Sequence, residues 1–172
     1  SLPKTEQTAI DKTPCAERNI RVESSVNDDV KFIDFLPFYS LRAACGYFGE
    51  GENVSEEGWI QVSNLGRLNR NMFVVQASGD SMNPLIQDGD YCVFRSNIIG
   101  SRNGKVVLVQ HRNFYDPDSG GSYSIKKYTS SKTIDPETGE WCHEQILLQP
   151  LNNDYTPIKI EYSDLEDCEE FI

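Results

Sequence analysis

One serine, Ser81, stands out as a candidate nucleophile because it lies in the dense polar stretch ASGDSMNPLIQDGD, residues 77–90. Apolar runs flank this stretch, so Ser81 falls at a junction between a strand and a turn, where its hydroxyl can project. A serine hydroxyl needs a neighbouring base before it can attack. Neither His111 nor His143 lies in a setting that suggests a base, which leaves the lysines. The alternative to a nucleophile is a serine with only a structural role in the turn.

Two adjacent lysines, Lys126 and Lys127, lie inside the β-type run YSIKKYT. A lysine accepts a proton only as the neutral amine, so burial among apolar neighbours must disfavour its charged form. Successive side chains of a strand point to opposite faces, so at most one of the two can face Ser81. The residues alone do not decide which. The three aspartates around Ser81 are expected to bond turn amides rather than to act as acids.

Six short β-type runs must position these groups. They are rich in Val, Ile, Tyr and Phe, and turns containing Gly, Asn, Asp and Pro separate them: MFVVQA, DYCVFR, KVVLVQH, YSIKKYT, EQILLQP and TPIKIEY. This spacing predicts a mainly β domain, either a sandwich or a coiled barrel. The helix candidate in the core is SMNPLI, about one turn long. Residues 1–35 are predicted to be a flexible arm or linker, and residues 163–172 an acidic tail.

Composition and charge disfavour several classes of function. The 172 residues suffice for one domain with a core, and the net charge of −11 disfavours direct binding of nucleic acid. Five scattered cysteines without a CxxC pair argue against a disulfide framework, and with only two histidines they also argue against a metal site. No apolar run approaches the roughly 20 residues of a membrane span, and no signal peptide is evident. We therefore expect a cytoplasmic protein without metal, cofactor or membrane contact.

Several separated blocks resemble the self-cleaving serine peptidases of the LexA and UmuD type, the S24 peptidase family. In order, the blocks are FVVQASGDSMNPLIQDGDYCVF, NGKVVLV, YSIKKY and LNNDYTPIKI, and the likeness covers residues 36–160. The resemblance implies a LexA/signal-peptidase-like coiled β-sheet domain over residues 58–162, preceded by the flexible arm. It implies Ser81 as the nucleophile, Lys126 as the base and Lys127 on the solvent side. It also implies an oxyanion hole formed by the main-chain N–H groups of Ser81 and Asp80.

The family cuts itself at an Ala–Gly or Cys–Gly bond upstream of the serine. This chain contains one such bond, Cys45–Gly46, which lies 36 positions before the candidate nucleophile in a predicted cleavage-site segment, residues 36–57. The small Ala43 and Ala44 fit an extended peptide that enters a tight site, and a glycine after the bond lets the backbone bend. Ala44 and Met82 are expected to line the cleft. The alternative is a tight turn around a buried cysteine.

Two features depart from the family pattern. Lys126 follows Ser81 by 45 positions, several more than usual, and the excess falls in the long loop at residues 111–122. A hairpin tip can absorb such an insertion without moving its strands. The LexA type also carries a helix-turn-helix domain in front, for which the 44 residues before Cys45 are too few. The chain therefore resembles the UmuD type more closely, or else a peptidase domain taken from a larger protein.

The resemblance implies an autopeptidase that cuts Cys45–Gly46 as a regulatory switch in an SOS-like stress response. The implied partners are the chain itself as substrate, a second copy in a homodimer, a RecA-type filament as trigger, and a DNA polymerase or a fused effector domain. The alternative is a homodimerisation or protein-docking module whose Ser/Lys pair is idle. A third reading, a signal-peptidase-like enzyme that acts on other proteins, requires a membrane anchor for which the sequence offers no candidate.

Overall fold

A computed structural model describes residues 20–48, 55–110, 115–116, 120–121, 123–134 and 136–161. In these residues the chain forms two β-sheets and one α-helix, α1 (Leu41–Phe48). The first sheet, in the order β1-β3-β2-β4-β5, contains β1 (Val22–Glu23), β2 (Phe35–Tyr39), β3 (Gly58–Gln61), β4 (Met72–Gln76) and β5 (Tyr91–Arg95). The second, in the order β6-β7-β8-β9, contains β6 (Val106–Gln110), β7 (Tyr123–Ile134), β8 (Trp141–Gln149) and β9 (Ile158–Glu161). The prediction of a mainly β fold is confirmed.

The strands follow the apolar runs of the sequence. In β4 the first four residues are buried, and in β6 the central three are buried, as expected for strands covered on both faces. In β7 the first half is largely buried, whereas its last four residues are exposed. All neighbours in the second sheet are antiparallel, and the β7–β8 register shifts once, between Ser131 and Lys132. The buried half of β7 is the part that carries the two lysines.

Part of the predicted arm belongs to the first sheet. β1 pairs with β3, and a side chain at Gly58 would overlap that of Val22, so the glycine permits this pairing. The Phe32 ring packs edge-on against Trp59, with the ring centroids 5.5 Å apart. The arm predicted for residues 1–35 therefore differs from the structure from Val22 onward, while residues 1–19 and the predicted tail lie outside the described residues. A few contacts of aromatic and β-branched side chains, such as Phe32 and Val22, hold this otherwise polar segment against the sheet.

The first residues of the predicted cleavage-site segment form a strand inside the first sheet. β2 pairs antiparallel with β3 along most of its length and parallel with β4 only at Phe38 and Tyr39. Pro37 therefore pairs with Trp59 of β3 and lies before the β4 pairing begins, which is where a missing N–H is tolerated. The predicted division at residues 35/36 thus falls within continuous sheet structure.

Helix α1 follows β2 directly and was not expected from the sequence. Its residues Leu41, Ala44 and Cys45, at spacings of three and four, are buried on one face. The N–H of Ala44 donates to the Ser40 carbonyl at 2.9 Å, which closes the first turn. Apolar spacing therefore overrides the glycine at position 46. The predicted helix SMNPLI is instead a tight turn, in which the N–H groups of Leu85 and Ile86 both donate to Met82 O at 3.0 Å.

One core cluster joins α1 to both sheets. Phe73 of β4, Leu108 of β6 and Cys45 of α1 belong to it and are nearly inaccessible to solvent. Burial of a side chain such as Phe73 contributes about 1.5–3 kcal/mol. The Phe73 ring also stacks on Phe94, with centroids 6.0 Å apart. This cluster fixes the first sheet against the second, and the candidate site lies at their junction.

Candidate active site

The turn after β4 presents Ser81. Main-chain bonds close the turn at its base, from Ala77 N–H to Asp90 O at 2.7 Å and from Gly89 N–H to Ala77 O at 3.0 Å. Asp88 accepts from the N–H of Gly79 at 2.8 Å, and Gly79 adopts φ of 84°, a conformation that favours glycine. The aspartate caps a turn amide, as turn chemistry predicts. These constraints hold Ser81 at 5% exposure, facing the second sheet.

Lys126 of β7 lies opposite this serine. Its Nζ donates to Ser81 Oγ at 2.8 Å, and the residue is 3% exposed. In the sheet, Lys126 pairs with Val107 of β6. Lys127, on the opposite face of the strand, is half-buried. The choice that strand alternation left open is thus settled in geometry: Lys126 is the lysine that contacts the serine.

Two further buried groups hold the same ammonium group. Lys126 Nζ lies 2.5 Å from Ser124 Oγ and 3.0 Å from Asp116 Oδ2, and Ser124 Oγ donates to Asp116 Oδ2. Ser124 and Asp116 are 2% and 6% exposed. A lysine ammonium has three N–H donors. Ser81, Ser124 and Asp116 supply one acceptor each, so the charged form of Lys126 is fully satisfied.

Main-chain groups next to Ser81 are held from the second sheet. The carbonyl of Ser81 accepts from the N–H groups of Leu151 and Asn152, each at 3.0 Å, and Asn152 Nδ2 donates to Asp80 O at 3.1 Å. Within the described residues the N–H groups of Asp80 and Ser81 have no acceptor. The Asp80 carbonyl shares its peptide plane with the N–H of Ser81, so the turn after β8 fixes one of the two N–H groups that the sequence predicts for an oxyanion hole.

A family profile described as Peptidase S24-like matches residues 37–117. Over residues 37–117 the chain is therefore similar to the peptidase S24-like family. A search of curated proteins found no match. The matched segment includes Ser81 and the Cys45–Gly46 bond and ends before Lys126. This similarity supports serine peptidase chemistry in general.

The Cys45–Gly46 bond of this S24-like chain lies inside α1. The expectation of an extended peptide at Ala43 and Ala44 is therefore wrong for this conformation, because both residues are helical. Cys45 is 2% exposed, and burial raises the pKa of its thiol from 9.0 to about 12. The thiol is therefore neutral at physiological pH. The apolar face of α1, which carries Cys45, is what keeps this segment helical.

The helix packs against the S24-like site. Met82 is 4% exposed and shares a core cluster with Ala44, the other residue expected to line the cleft. A cavity of about 10 Å³, the minimum for one water molecule, adjoins the serine. Its lining comprises Leu41, Ala77, Ser78, Gly79, Ser81, Met82, Ile86, Ser124 and Ile125. Leu41 thus brings α1 to the edge of the site, while Ala44 lies in the packing beneath it.

Sequence reasoning missed Ser124 and Asp116. Ser124 is two residues from Lys126, so strand alternation could have placed both on one face. Asp116 gave no such signal, because it lies in a segment without a strand or helix period that would relate it to Lys126. Among the described residues there is no group of three His, Cys, Asp or Glu side chains that could hold a metal ion. In the same residues, no helix is long and apolar enough to cross a membrane.

Proposed function

We propose that this chain is a self-cleaving serine peptidase in which Ser81 is the nucleophile and Lys126 the general base. The observation that carries the proposal is the 2.8 Å contact between Lys126 Nζ and Ser81 Oγ, with both residues almost completely buried. A base must lie within hydrogen-bond reach of the proton that it removes, and this contact meets that condition. Similarity to the S24-like family supports the same chemistry.

The reaction begins when Lys126, as the neutral amine, takes the proton from Ser81 Oγ. The oxygen attacks the carbonyl carbon of Cys45, and the N–H groups of Asp80 and Ser81 stabilise the oxyanion that forms. Such donors typically contribute about 3–4 kcal/mol each. The Lys126 ammonium then protonates the nitrogen of Gly46, which leaves as an amine. Water hydrolyses the acyl-enzyme and releases residues 1–45 and 46–172.

Helix α1 must open before this reaction. A peptide bond in a helix has its carbonyl directed along the helix axis, whereas a peptidase substrate binds in an extended form. An isolated helix of eight residues is marginal in water, and an interior glycine weakens it by about 1 kcal/mol. Burial of Leu41, Ala44 and Cys45 opposes the opening. We infer that the described conformation is latent and that a trigger acts by releasing α1.

The family resemblance extends this proposal to a biological setting. A regulatory switch in an SOS-like stress response requires a signal that shifts α1 from helix to extended peptide, and a RecA-type filament is the trigger implied by the resemblance. A homodimer, with a DNA polymerase or fused domain as effector, completes the scheme. Because substrate and catalyst share one chain, a modest shift in conformation suffices to start the reaction.

The test is self-cleavage at about pH 10, near the ordinary lysine value of about 10.4, followed by intact mass. We expect one cut, after Cys45, in the unsubstituted chain. Ser81→Ala and Lys126→Ala should both remain whole. Lys127→Ala is the matched control for the lysine, and Ser96→Ala, a buried serine directly after β5 that bonds to Asn71 O, is the control for the serine.

An unsubstituted chain that stays folded and whole under these conditions would contradict the proposal. A cut at another bond that still depends on Ser81 and Lys126 would support the Ser/Lys pair and reject Cys45–Gly46 as the site. Circular dichroism spectra of all five chains establish that a lost cut reflects chemistry rather than unfolding.

A second candidate function is a homodimerisation or docking module whose Ser/Lys pair is idle. The burial of Cys45 in α1 and the ionic contact of Lys126 with Asp116 favour it. Both readings allow a homodimer, so self-cleavage of the unsubstituted chain, followed by intact mass, separates them. A docking module dimerises without self-cleavage at any pH, whereas a peptidase is cut in the unsubstituted form.

A further inference from the structure

The buried carboxylate of Asp116 is not used by the proposed reaction. It belongs to the described part of the loop between β6 and β7 and is only 6% exposed. Its own N–H donates to Gly121 O at 2.8 Å, and its carbonyl accepts from the N–H of Gly120 at 2.9 Å. These two bonds, which accompany an isolated antiparallel bridge between Asp116 and Gly121, fix its backbone, and its carboxylate contacts the lysine of the site. Buried carboxylates are rare unless they are paired.

The partner of this carboxylate is the proposed base. Asp116 Oδ2 lies 3.0 Å from Lys126 Nζ, and it is the only ionic partner of that lysine among the described residues. The other groups against Nζ, Ser81 and Ser124, are uncharged hydroxyls. From α1, the Cys45 thiol is neutral because burial raises its pKa to about 12. Val107 of β6, the cross-strand partner, is apolar.

Two effects on the lysine thus oppose each other. Burial favours the neutral amine, whereas a carboxylate at 3.0 Å favours the ammonium. Removal of the carboxylate's charge leaves only the hydrogen bonds to the Ser81 and Ser124 hydroxyls to oppose the effect of burial. Asp116 therefore places a carboxylate within ion-pair distance of the proposed base.

The geometry also fixes the direction of the lone pair. When the ammonium gives one proton to hydroxide in the solvent, Nζ retains two N–H donors. Ser124 Oγ and Asp116 Oδ2 are the acceptors for those two, so the lone pair is directed at the third neighbour, Ser81 Oγ. The hydroxyl of Ser81 then donates to Nζ, which is the arrangement that general-base catalysis requires.

We propose that Asp116 is a positioning residue that sets the pH at which Lys126 loses its proton and aims the resulting lone pair at Ser81. The proposal deepens the proposed Ser/Lys function and rests on it for its biological meaning. Asp116 restrains the base at neutral pH and supports the ammonium that re-forms during the reaction. A shift of the carboxylate away from Lys126 would release the base.

The direct test measures the lysine rather than the cleavage. In a Ser81→Ala background, the Cε signals of 13C-labelled lysines are followed from pH 6 to 11.5, with Lys126 assigned through Lys126→Arg. Asp116→Asn should lower the titration midpoint of Lys126 by about 1–3 pH units, the range typical of a close ion pair. Asp154→Asn, an exposed aspartate, is the matched control and should leave it unchanged. An unchanged midpoint in Asp116→Asn overturns the proposal.

Self-cleavage of chains that retain Ser81 is the second measurement. Asp116→Asn should move the pH–rate curve to lower pH by the same amount and lower its plateau, and Asp116→Glu should restore part of the original curve. A shifted Lys126 midpoint in chains that never cleave supports the Asp116 proposal and contradicts the peptidase. Cleavage of the unsubstituted chain, with no shift of the Lys126 midpoint in Asp116→Asn, supports the peptidase and contradicts the Asp116 proposal.

If Asp116→Asn does not fold, the Ser81→Ala chain itself supplies the answer. The side-chain carboxyl carbon of Asp116, assigned through its bonded neighbours, should show a step at the pH where the Lys126 signal changes. Such coupled steps arise when two titrating groups interact strongly. A carboxyl signal without that step overturns the proposal.

Discussion

At the scale of single residues, the site is a chain of four polar side chains shielded from solvent. Lys126 is its centre, and Ser81, Ser124 and Asp116 each accept one hydrogen bond from its Nζ. A buried charge is tolerated only when it is paired and its donors are satisfied. Each of the three acceptors therefore affects stability as well as chemistry, and the two effects can be measured separately.

Ser124→Ala tests the structural part of this network. The substitution removes one acceptor of a buried ammonium, so we expect the free energy of unfolding to fall by about 1–3 kcal/mol. Urea denaturation at pH 7.5 measures it, with Ser131→Ala, an exposed serine of the same strand, as the control. Ser124→Thr, which keeps the hydroxyl, should recover most of the loss. If Ser124→Ala and the control have the same free energy of unfolding, the hydrogen bond from Lys126 to Ser124 does not stabilise the fold.

At the scale of elements, the predictable parts were those with strong local patterns. The six runs of branched and aromatic residues became β4 to β9, because each run has a period or length that only a strand uses. The pairing of β2 with β4 and the helix α1 were not predictable. Pro37 disfavours a strand and Gly46 disfavours a helix. These local preferences are outweighed by contacts with residues distant in sequence, such as Phe73 and Ile125.

The residues of the candidate site likewise divide into those that the sequence predicted and those that it did not. Ser81 and Lys126 were nominated from the ordered blocks of the resemblance, and strand alternation allowed only one of two lysines to face the serine. Asp116 could not have been nominated, since the loop that carries it has no period. The helical state of Cys45 was also hidden, because an extended cleavage segment and a short amphipathic helix use the same small residues.

Arg42→Gly tests whether opening of α1 limits self-cleavage. Arg42 is exposed, so glycine there weakens the helix by about 1 kcal/mol without disturbing the core, and the open form becomes about fivefold more populated. We expect self-cleavage at pH 10 to accelerate by about that factor, as measured by intact mass. Arg42→Ala removes the same charge but keeps helix propensity, and it should cleave at the original rate or more slowly. Equal acceleration in both variants would implicate the charge instead.

At the scale of the whole molecule, the site joins the two sheets. Ser81 comes from a turn of the first sheet and Lys126 from a strand of the second, and the main chain around Ser81 is bonded to Leu151 and Asn152 of the second. Helix α1 packs into the core cluster that both sheets share. Release of α1 therefore exposes part of the common core. The opening that the proposed reaction needs thus costs part of the stability of the fold.

This link predicts a specific loss of stability at alkaline pH. Burial raises the pKa of Cys45 from 9.0 to about 12, so below pH 9 the thiol is neutral in folded and unfolded chains and stability is unaffected. Between pH 9 and 12 the unfolded chain ionises and the folded chain does not, so stability falls as pH rises, by about 2 kcal/mol at pH 10.5. The same ionisation favours any state in which α1 has released Cys45, so alkaline conditions promote the opening of α1.

Cys45→Ala separates that contribution, because alanine cannot ionise and an Ala–Gly bond is still of the type that the resemblance implies as a cleavage site. In a Ser81→Ala background, urea unfolding at pH 8 and pH 10.5 should show a smaller loss of stability in Cys45→Ala than in the parent chain, by about 2 kcal/mol. Cys92→Ala is the companion variant, since burial and the nearby Asp90 raise the pKa of that thiol to about 12 as well. It should reduce the loss of stability between pH 8 and pH 10.5 by a similar amount. If the parent and Cys45→Ala lose the same stability, Cys45 does not stay neutral in the folded chain, and α1 does not shield it at high pH.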